Sequence, residues 1–222
     1  MIIRNYDPKK DQKAVHRIWE EIDWIDRDDE DDKKYLDIHM SGSRSLVADV
    51  NGAAECVVNS SPGSIQYLKE ELPIAIVASV CTSLVGRKQG LASRLTAKLV
   101  AEDAVNGAII SVLGMFEQGY YSRLGFGTGP YEHFVSFDPS QLIVNRKASI
   151  PVRISNEDYN DVYKAMLNRR CDHGAVKLLA IEMTQWEMGA TEKPFGLGYW
   201  YEKNILTHFI RENPKVSADH IL

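Results

Sequence analysis

A pair of apolar runs, each handing over to a glycine-bearing turn, constrains this chain more than any other feature. Residues 74–84 are apolar enough for a strand buried on both faces. They lead into Arg87, Lys88, Gln89, Gly90, Leu91 and Ala92, after which Leu91, Leu95 and Leu99 recur at helical spacing. Asn106 and Gly107 supply the left-handed stop for that helix. A second buried strand is expected over residues 108–114, followed by a helix over 117–124 that carries Tyr120 and Tyr121 and ends at Gly125. The first handover suits an anion. A helix N-terminus leaves backbone N–H groups unpaired at the positive end of the dipole, Gly90 allows close approach, and Arg87 and Lys88 add charge. It is neither the Gly-Lys-Ser/Thr phosphate loop nor the Gly-x-Gly-x-x-Gly fingerprint, so taken alone it also fits an ordinary basic turn.

The flanking chain supplies a scaffold. Residues 2–4 read as a short strand, Asp7 and Pro8 as a helix start, and Val15, Ile18, Trp19 and Ile22 as its apolar stripe. Tyr35, Leu36, Ile38 and Met40 predict a second short helix that stops near Gly42. Leu46, Val47 and Val50 form a strand, Asn51 and Gly52 a tight hairpin turn, and residues 53–58 its partner. Residues 59–63 read as a polar loop, 64–71 as a short helix or an insertion, and 131–137 as a final alternating strand. Strands early and late with helices between them make an α/β protein with a mixed sheet.

Charge is unevenly spread. The net charge is −5, yet residues 20–37 hold ten acids against Arg27, Lys33 and Lys34, a net −7 that leaves the remainder at +2. Two readings stand for that block: a solvated acidic helix end, or a negative rim that steers a cationic substrate. Clustered basic residues of the kind nucleic acids require are absent, and no apolar run approaches the ~20 residues that span a bilayer. Cys56, Cys81 and Cys171 are odd in number and lack metal spacing, as do the six histidines, so no metal is expected. With no secretory leader at the start, the expectation is a cytoplasmic protein that binds neither nucleic acid nor membrane. Cys81 is either a small core residue or a nucleophile; Trp19 reads as core, and Trp24 is open between core and acceptor pocket.

Residues Arg87 to Ala92, followed at the expected distance by Tyr121-Ser122-Arg123-Leu124-Gly125-Phe126, resemble the GNAT superfamily of N-acetyltransferases. Within it, the segment from Glu117 to Gly127 is similar to the enhanced-intracellular-survival (Eis-like) branch. The resemblance covers roughly residues 1–139. It implies a GNAT fold in which main-chain groups of Val80 and Thr82 pair with pantetheine, while Arg87, Lys88, Gln89, Gly90, Leu91 and Ala92 wrap the pyrophosphate of acetyl-CoA as co-substrate. It also implies that Tyr121 is the general acid that returns a proton to the CoA sulfur. A phenol with an ordinary pKa near 10 can protonate a thiolate as it forms. Tyr120 is its neighbour on another face of the expected helix, and Glu117, four residues before Tyr121, would share its face. Glu117 either helps deprotonate the amine through water or is an ordinary capping glutamate.

After residue 140 the pattern restarts. Residues 141–150 read as a linker, 152–154 as an opening strand, and Ser155 or Asn156 as the cap of a helix carrying Tyr159, Val162, Tyr163, Met166 and Leu167. Residues 197–201 and 205–210 form a hairpin. This echoes the first half, so the expected organisation is a GNAT domain over 1–140 and a partial second GNAT-like unit over 151–222 without its own cofactor loop. Eis-like relatives carry a further sterol-carrier-like domain and supply a C-terminal carboxylate as base; this sequence lacks both, which makes it either a fragment or a short relative. Its truncated second unit has edges that favour a homo-oligomer. The expected activity is direct transfer of acetyl to a small-molecule or peptide amine, with a non-catalytic acyl-CoA-binding regulator or scaffold as the alternative.

Overall fold

The computed structural model describes residues 1–115, 117–129, 150–190, 195–201 and 204–211, together with the single positions 138, 141, 143 and 145. The strand expected over 131–137 and most of the linker lie outside the described residues.

Local chemistry starts each helix. In α1 (Pro8–Glu21), Asp7 accepts from the Lys9 N–H, Pro8 fills the first turn, and Val15, Ile18 and Trp19 form a buried stripe. In α2 (Glu30–Ser41), Asp29 accepts from the N–H groups of Asp31 and Asp32, and Glu30, Asp31 and Asp32 lie in the first turn. Much of the acidic block is therefore a helix start, where carboxylates meet the positive end of the dipole.

β1 (Ile2–Asn5), β2 (Arg44–Val50), β3 (Ala53–Tyr67) and β4 (Glu70–Thr82) form an antiparallel ladder in that order. Asn51 and Gly52 have φ of 55° and 91°, as a two-residue hairpin turn requires. The polar loop expected over 59–63 does not form, and of the two readings for 64–71 the short helix does not form either, since the segment is strand and turn. β3 runs straight through, because its small polar side chains find hydrogen-bond partners. Asn59 meets His39, Ser60 donates to Asp103, Ser61 meets Ser43, and Ser64 donates to Glu71. A satisfied polar side chain does not interrupt a strand.

β4 is followed by α3 (Leu91–Val105) and by β5 (Ile110–Val112), which pairs parallel to Ile74–Ile76 of β4. The buried strand expected over 108–114 shrinks to three residues, with Ile110 47% exposed. Alternation along β2 and β3 divides the core into two layers. Val47, Val57 and Cys81 pack with Val15, Ile18, Trp19, Leu36 and Met40 of α1 and α2. On the other face Leu46, Cys56, Val58 and Val77 pack with Leu91, Leu95 and Leu99 of α3. Arg44 ties β2 to the end of α3 through Asp103 at 2.7 Å and the Leu99 carbonyl at 2.8 Å.

α4 (Gln118–Ser122) closes the first half, and the second contains β6 (Val152–Ile154), α5 (Tyr159–Asn168), β7 (Val176–Leu178), α6 (Ile181–Gly189), β8 (Phe195–Tyr201) and β9 (Asn204–Arg211). β6, β8 and β9 make a three-stranded antiparallel sheet over Ile154, Val162, Met188 and Ile205. The order of strand, helices and hairpin matches β1 to β3. Sequence reading overlooked β7, which leaves this unit and pairs with Gly63–Ile65 of β3 in the first sheet. Gly63 makes that docking possible, since a Cβ there would sit 2.6 Å from Ile76 Cδ1 and 3.0 Å from the Lys177 carbonyl oxygen.

Helix α6 crosses α2 at two further glycines. A Cβ on Gly42 would lie 2.6 Å from the Glu182 Cβ, and one on Gly189 only 1.8 Å from the Tyr35 ring. We expect Gly189→Ala to destabilise the protein by about 1–3 kcal/mol through overpacking, read as a lower urea midpoint. In a Tyr35→Ala background the same change should be neutral or stabilising. An equal loss in both backgrounds would contradict this account of the crossing.

Candidate functional site

The end of β4 is where the sheet opens. Its pairing with β5 stops at Ile76, yet the strand continues to Thr82. Cys81 lies opposite Val57 and Ala78 opposite Asn59, so an extra residue is accommodated at Ser79–Val80, and Ser79 takes a left-handed φ of 51°. The Ser83 N–H donates to the Glu55 carbonyl at 2.9 Å, which marks Ser83 and Cys81 as the residues whose peptides face β3. Thr82 therefore turns its N–H and C=O to the open side, and Val80 lies on the same side just past the bulge. Expected to run to Leu84, the strand instead ends at Thr82, because Leu84–Gly86 form a tight turn in which the Gly86 N–H donates to Ser83.

The loop beyond is held open. Gln89 Nε2 donates to the Val85 carbonyl at 2.9 Å, Lys88 and Gly90 have φ of 61° and 70°, and residues 87–90 are exposed. Helix α3 begins at Leu91 with no side-chain cap. Its first N–H groups and the positive end of its dipole face the space beside Gly90, where a Cβ would meet nothing within 4 Å. Leu91 is buried, so only its backbone can contribute, and Ala92 is half-buried. Across the loop, Glu21 of α1 accepts from the Leu84 N–H at 2.7 Å, and Arg17 reaches Glu55 at 3.1 Å and the Ala54 carbonyl at 3.0 Å. These bonds fasten the end of α1 to the start of the loop.

Tyr121 is half-buried in α4, edge-on to Tyr120 at 4.9 Å and to Phe126 at 5.9 Å. Burial, and then the neighbouring Tyr120 and Cys81, push its phenol above the ordinary tyrosine value. The influence of Cys81 relates Tyr121 to the end of β4. The expected helix over 117–124 is shorter than its pattern: α4 spans Gln118–Ser122, and Glu117 precedes it with φ −135°. The shared face expected of Glu117 and Tyr121 therefore does not form. The Glu117 side chain is exposed and lies over Gly119, where a Cβ would come 3.0 Å from its Oε1. Gly125, at φ 89°, ends the turn and returns Phe126 to Tyr121.

Behind the bulge lies a buried polar cluster that sequence spacing could not reveal, because its members are about twenty residues apart. His39 Nε2 is 2.7 Å from Ser79 Oγ and 3.0 Å from Asn59 Nδ2. Burial lowers the His39 pKa to about 4, so the imidazole is neutral at pH 7. Rings connect it outward: Trp186 at 4.6 Å, Trp19 at 5.9 Å, and Trp24 packed edge-on against Trp19 at 5.1 Å. Trp24, 40% exposed, borders a shallow depression with Glu20, Asp23, Asp26, Asp28 and Asp32. Trp19 is core, as expected; Trp24 belongs to the acidic rim.

Cys81 and Cys56 are buried thiols. Burial raises both, Cys56 to about 11, which leaves them protonated and poor nucleophiles. Cys81 is thus a core residue. Among the described residues no group of histidine, cysteine and carboxylate side chains is arranged to hold a metal, and no helix is long and apolar enough to cross a membrane.

Residues 5–129 match the family model of the acetyltransferase (GNAT) domain. A conserved protein of unknown function from Enterococcus faecalis V583, a probable N-acyltransferase, shares the fold with a TM-score of 0.71 at 14% identity. That similarity covers 99% of this chain and 56% of the other. Eis1 from Mycobacterium abscessus superposes with a TM-score of 0.61 at 16% identity, over 90% of this chain and 51% of its own. The chain thus spans about half the length of either protein. No curated protein matches it in sequence.

Proposed function

Because this chain belongs to the GNAT acetyltransferase family, we propose that it transfers acetyl directly from acetyl-CoA to an amine, with Tyr121 as general acid. The observation that carries this reading is the uncapped start of α3, with Arg87 and Lys88 beside it, at the end of the unpaired edge of β4. These residues fit the cofactor. Gly90, Leu91 and Ala92 offer backbone N–H groups to its pyrophosphate, Arg87 and Lys88 add charge, and Gln89 braces the loop. Val80 and Thr82 present main-chain groups to the pantetheine amides.

The proposed chemistry is direct transfer. The neutral amine nitrogen attacks the thioester carbon, the carbon–sulfur bond breaks, and the sulfur takes the Tyr121 proton. A raised phenol pKa keeps that proton in place across the neutral range, and a leaving thiolate is basic enough to claim it. The amine's own proton goes to water, with the exposed Glu117 as a candidate to receive it. Glu117 standing off the Tyr121 face favours a second reading, a non-catalytic acyl-CoA-binding regulator or scaffold.

Thiol release from acetyl-CoA with a panel of polyamine, aminoglycoside and peptide amines separates the two. Turnover with any of them supports transfer; acetyl-CoA binding without turnover across the panel supports the second reading. The acidic rim beside Trp24 points to a cationic acceptor. We expect kcat/KM for such an amine to fall by roughly two- to tenfold between about 0.05 and 0.5 M salt. A salt-independent value would remove the steering role. The second half, with its matching order of strand, helices and hairpin, is read as a partial GNAT-like unit without a cofactor loop. Assembly into homo-oligomers and a cytoplasmic setting complete the proposal.

A further inference from the structure

Ser79 is a constrained backbone position near the proposed site. It is one of few non-glycine residues with a left-handed φ, and such a conformation persists only where its surroundings hold it. The others sit in loops or turns, such as Asn51 in its hairpin; Ser79 sits inside a core strand. Its hydroxyl lies 2.7 Å from His39 Nε2, and Asn59 Nδ2 approaches the same nitrogen at 3.0 Å. Ser79, His39 and Asn59 are 8%, 2% and 0% exposed.

Trp186, from α6 in the second half, packs tilted against the His39 ring at 4.6 Å, and Trp19 flanks it at 5.9 Å. Helix α6 can come this close because Gly42 and Gly189 leave no side chain at its crossing with α2. A hydrogen bond kept dry in this way is stronger than one shared with water.

We propose that His39 and Asn59, covered by Trp186, form a clamp that holds the left-handed backbone of Ser79 and so sets the direction of the Val80 peptide toward the acyl end of the cofactor. The inference rests on the reading of β4 as the pantetheine edge. If the pyrophosphate sits at residues 87–92, the arm passes Thr82 first and reaches Val80 last, so the thioester lies nearest the bulge. His39 is then a positioning residue, acting through Ser79 without touching substrate. The second half thereby contributes Trp186 to the centre.

Glycine adopts the left-handed conformation without support, whereas alanine does not. The clamp therefore makes an asymmetric prediction at a single position. The intact protein is titrated with CoA and with acetyl-CoA labelled with carbon-13 at the carbonyl, and the bound carbonyl stretch is recorded by infrared difference spectroscopy. Ser79→Ala should reduce the preference for acetyl-CoA over CoA by about tenfold and move the stretch toward its solution value, with CoA affinity within about twofold of wild type. Ser79→Gly should keep both near wild type. Trp186→Ala should behave like Ser79→Ala, and adding Ser79→Gly to it should restore the wild-type values. Near-UV circular dichroism checks that each variant is folded.

Equal loss in Ser79→Ala and Ser79→Gly would overturn the clamp and indicate a hydroxyl needed for itself, as in a proton relay. No change in any variant, with both ligands bound, would overturn it as well while leaving the cofactor site intact. Failure of the wild type to bind either ligand would remove the cofactor reading and the clamp with it.

Discussion

Tyr121→Phe is expected to lower kcat by about 10²- to 10³-fold while leaving acetyl-CoA affinity within about twofold. The side chain loses one oxygen and keeps its ring against Tyr120 and Phe126, so packing and the position of α4 are retained. What disappears is a proton held ready for the departing sulfur. Tyr120→Phe is the matched control. The Tyr120 hydroxyl is buried with no hydrogen-bond partner among the described residues, so its removal should cost little or even stabilise. Steady-state thiol release and calorimetric affinity for both variants test the pair. Unchanged turnover in Tyr121→Phe, or a comparable loss in Tyr120→Phe, would sink the assignment of the acid.

The second large effect is on stability as the pH falls. His39 has a folded pKa of about 4 against an ordinary value of 6.5. Between those values the unfolded chain binds a proton that the folded protein refuses, so stability rises with pH across this window. The contribution is fully present above pH 6.5 and is lost as the pH falls through 6.5 toward 4, a change of about 3 kcal/mol. The hydrogen-bond and ring partners of His39 from α1, β3, β4 and α6, namely Trp19, Asn59, Ser79 and Trp186, are all uncharged, and burial alone shifts the ring among the described residues. Urea unfolding at pH 7 and pH 4.5 measures it, and His39→Phe should flatten the difference.

A separate acid limb belongs to Asp49, which hydrogen bonds to Lys10 and then Arg4 push down to about 2. Its lowered pKa contributes stability above the ordinary carboxylate range that disappears only as the pH falls through about 2. The two windows do not overlap. A His39→Phe protein with an unchanged loss between pH 7 and 4.5 would contradict the account of the buried ring.

Much of this architecture was legible in the residues, and the failures have physical causes. The α1 stripe of Val15, Ile18 and Trp19, the Asn51–Gly52 turn and the loop from Arg87 to Ala92 each depend on local chemistry, and each stands where its pattern put it. Residues 59–63 misled because asparagine, serine, proline and glycine read as a loop when their partners are unknown. His39, Ser43 and Asp103 make that segment a strand, and none is its neighbour in sequence. β7 escaped notice because three residues that leave one sheet to join another carry no periodicity. Glu117 was placed on the Tyr121 face by assuming a helix that begins one residue later. The clamp of His39, Asn59 and Ser79 had no signal at all: its geometry exists only after β3, β4 and α2 are packed.

The account stands or falls on the space beside Gly90. Calorimetric titration of the intact protein with acetyl-CoA should give a dissociation constant of about 1–100 µM, weakened at least tenfold by Gly90→Val, whose branched side chain would enter that space and oppose the left-handed backbone. No binding below millimolar concentrations, or equal binding by wild type and Gly90→Val, would contradict it.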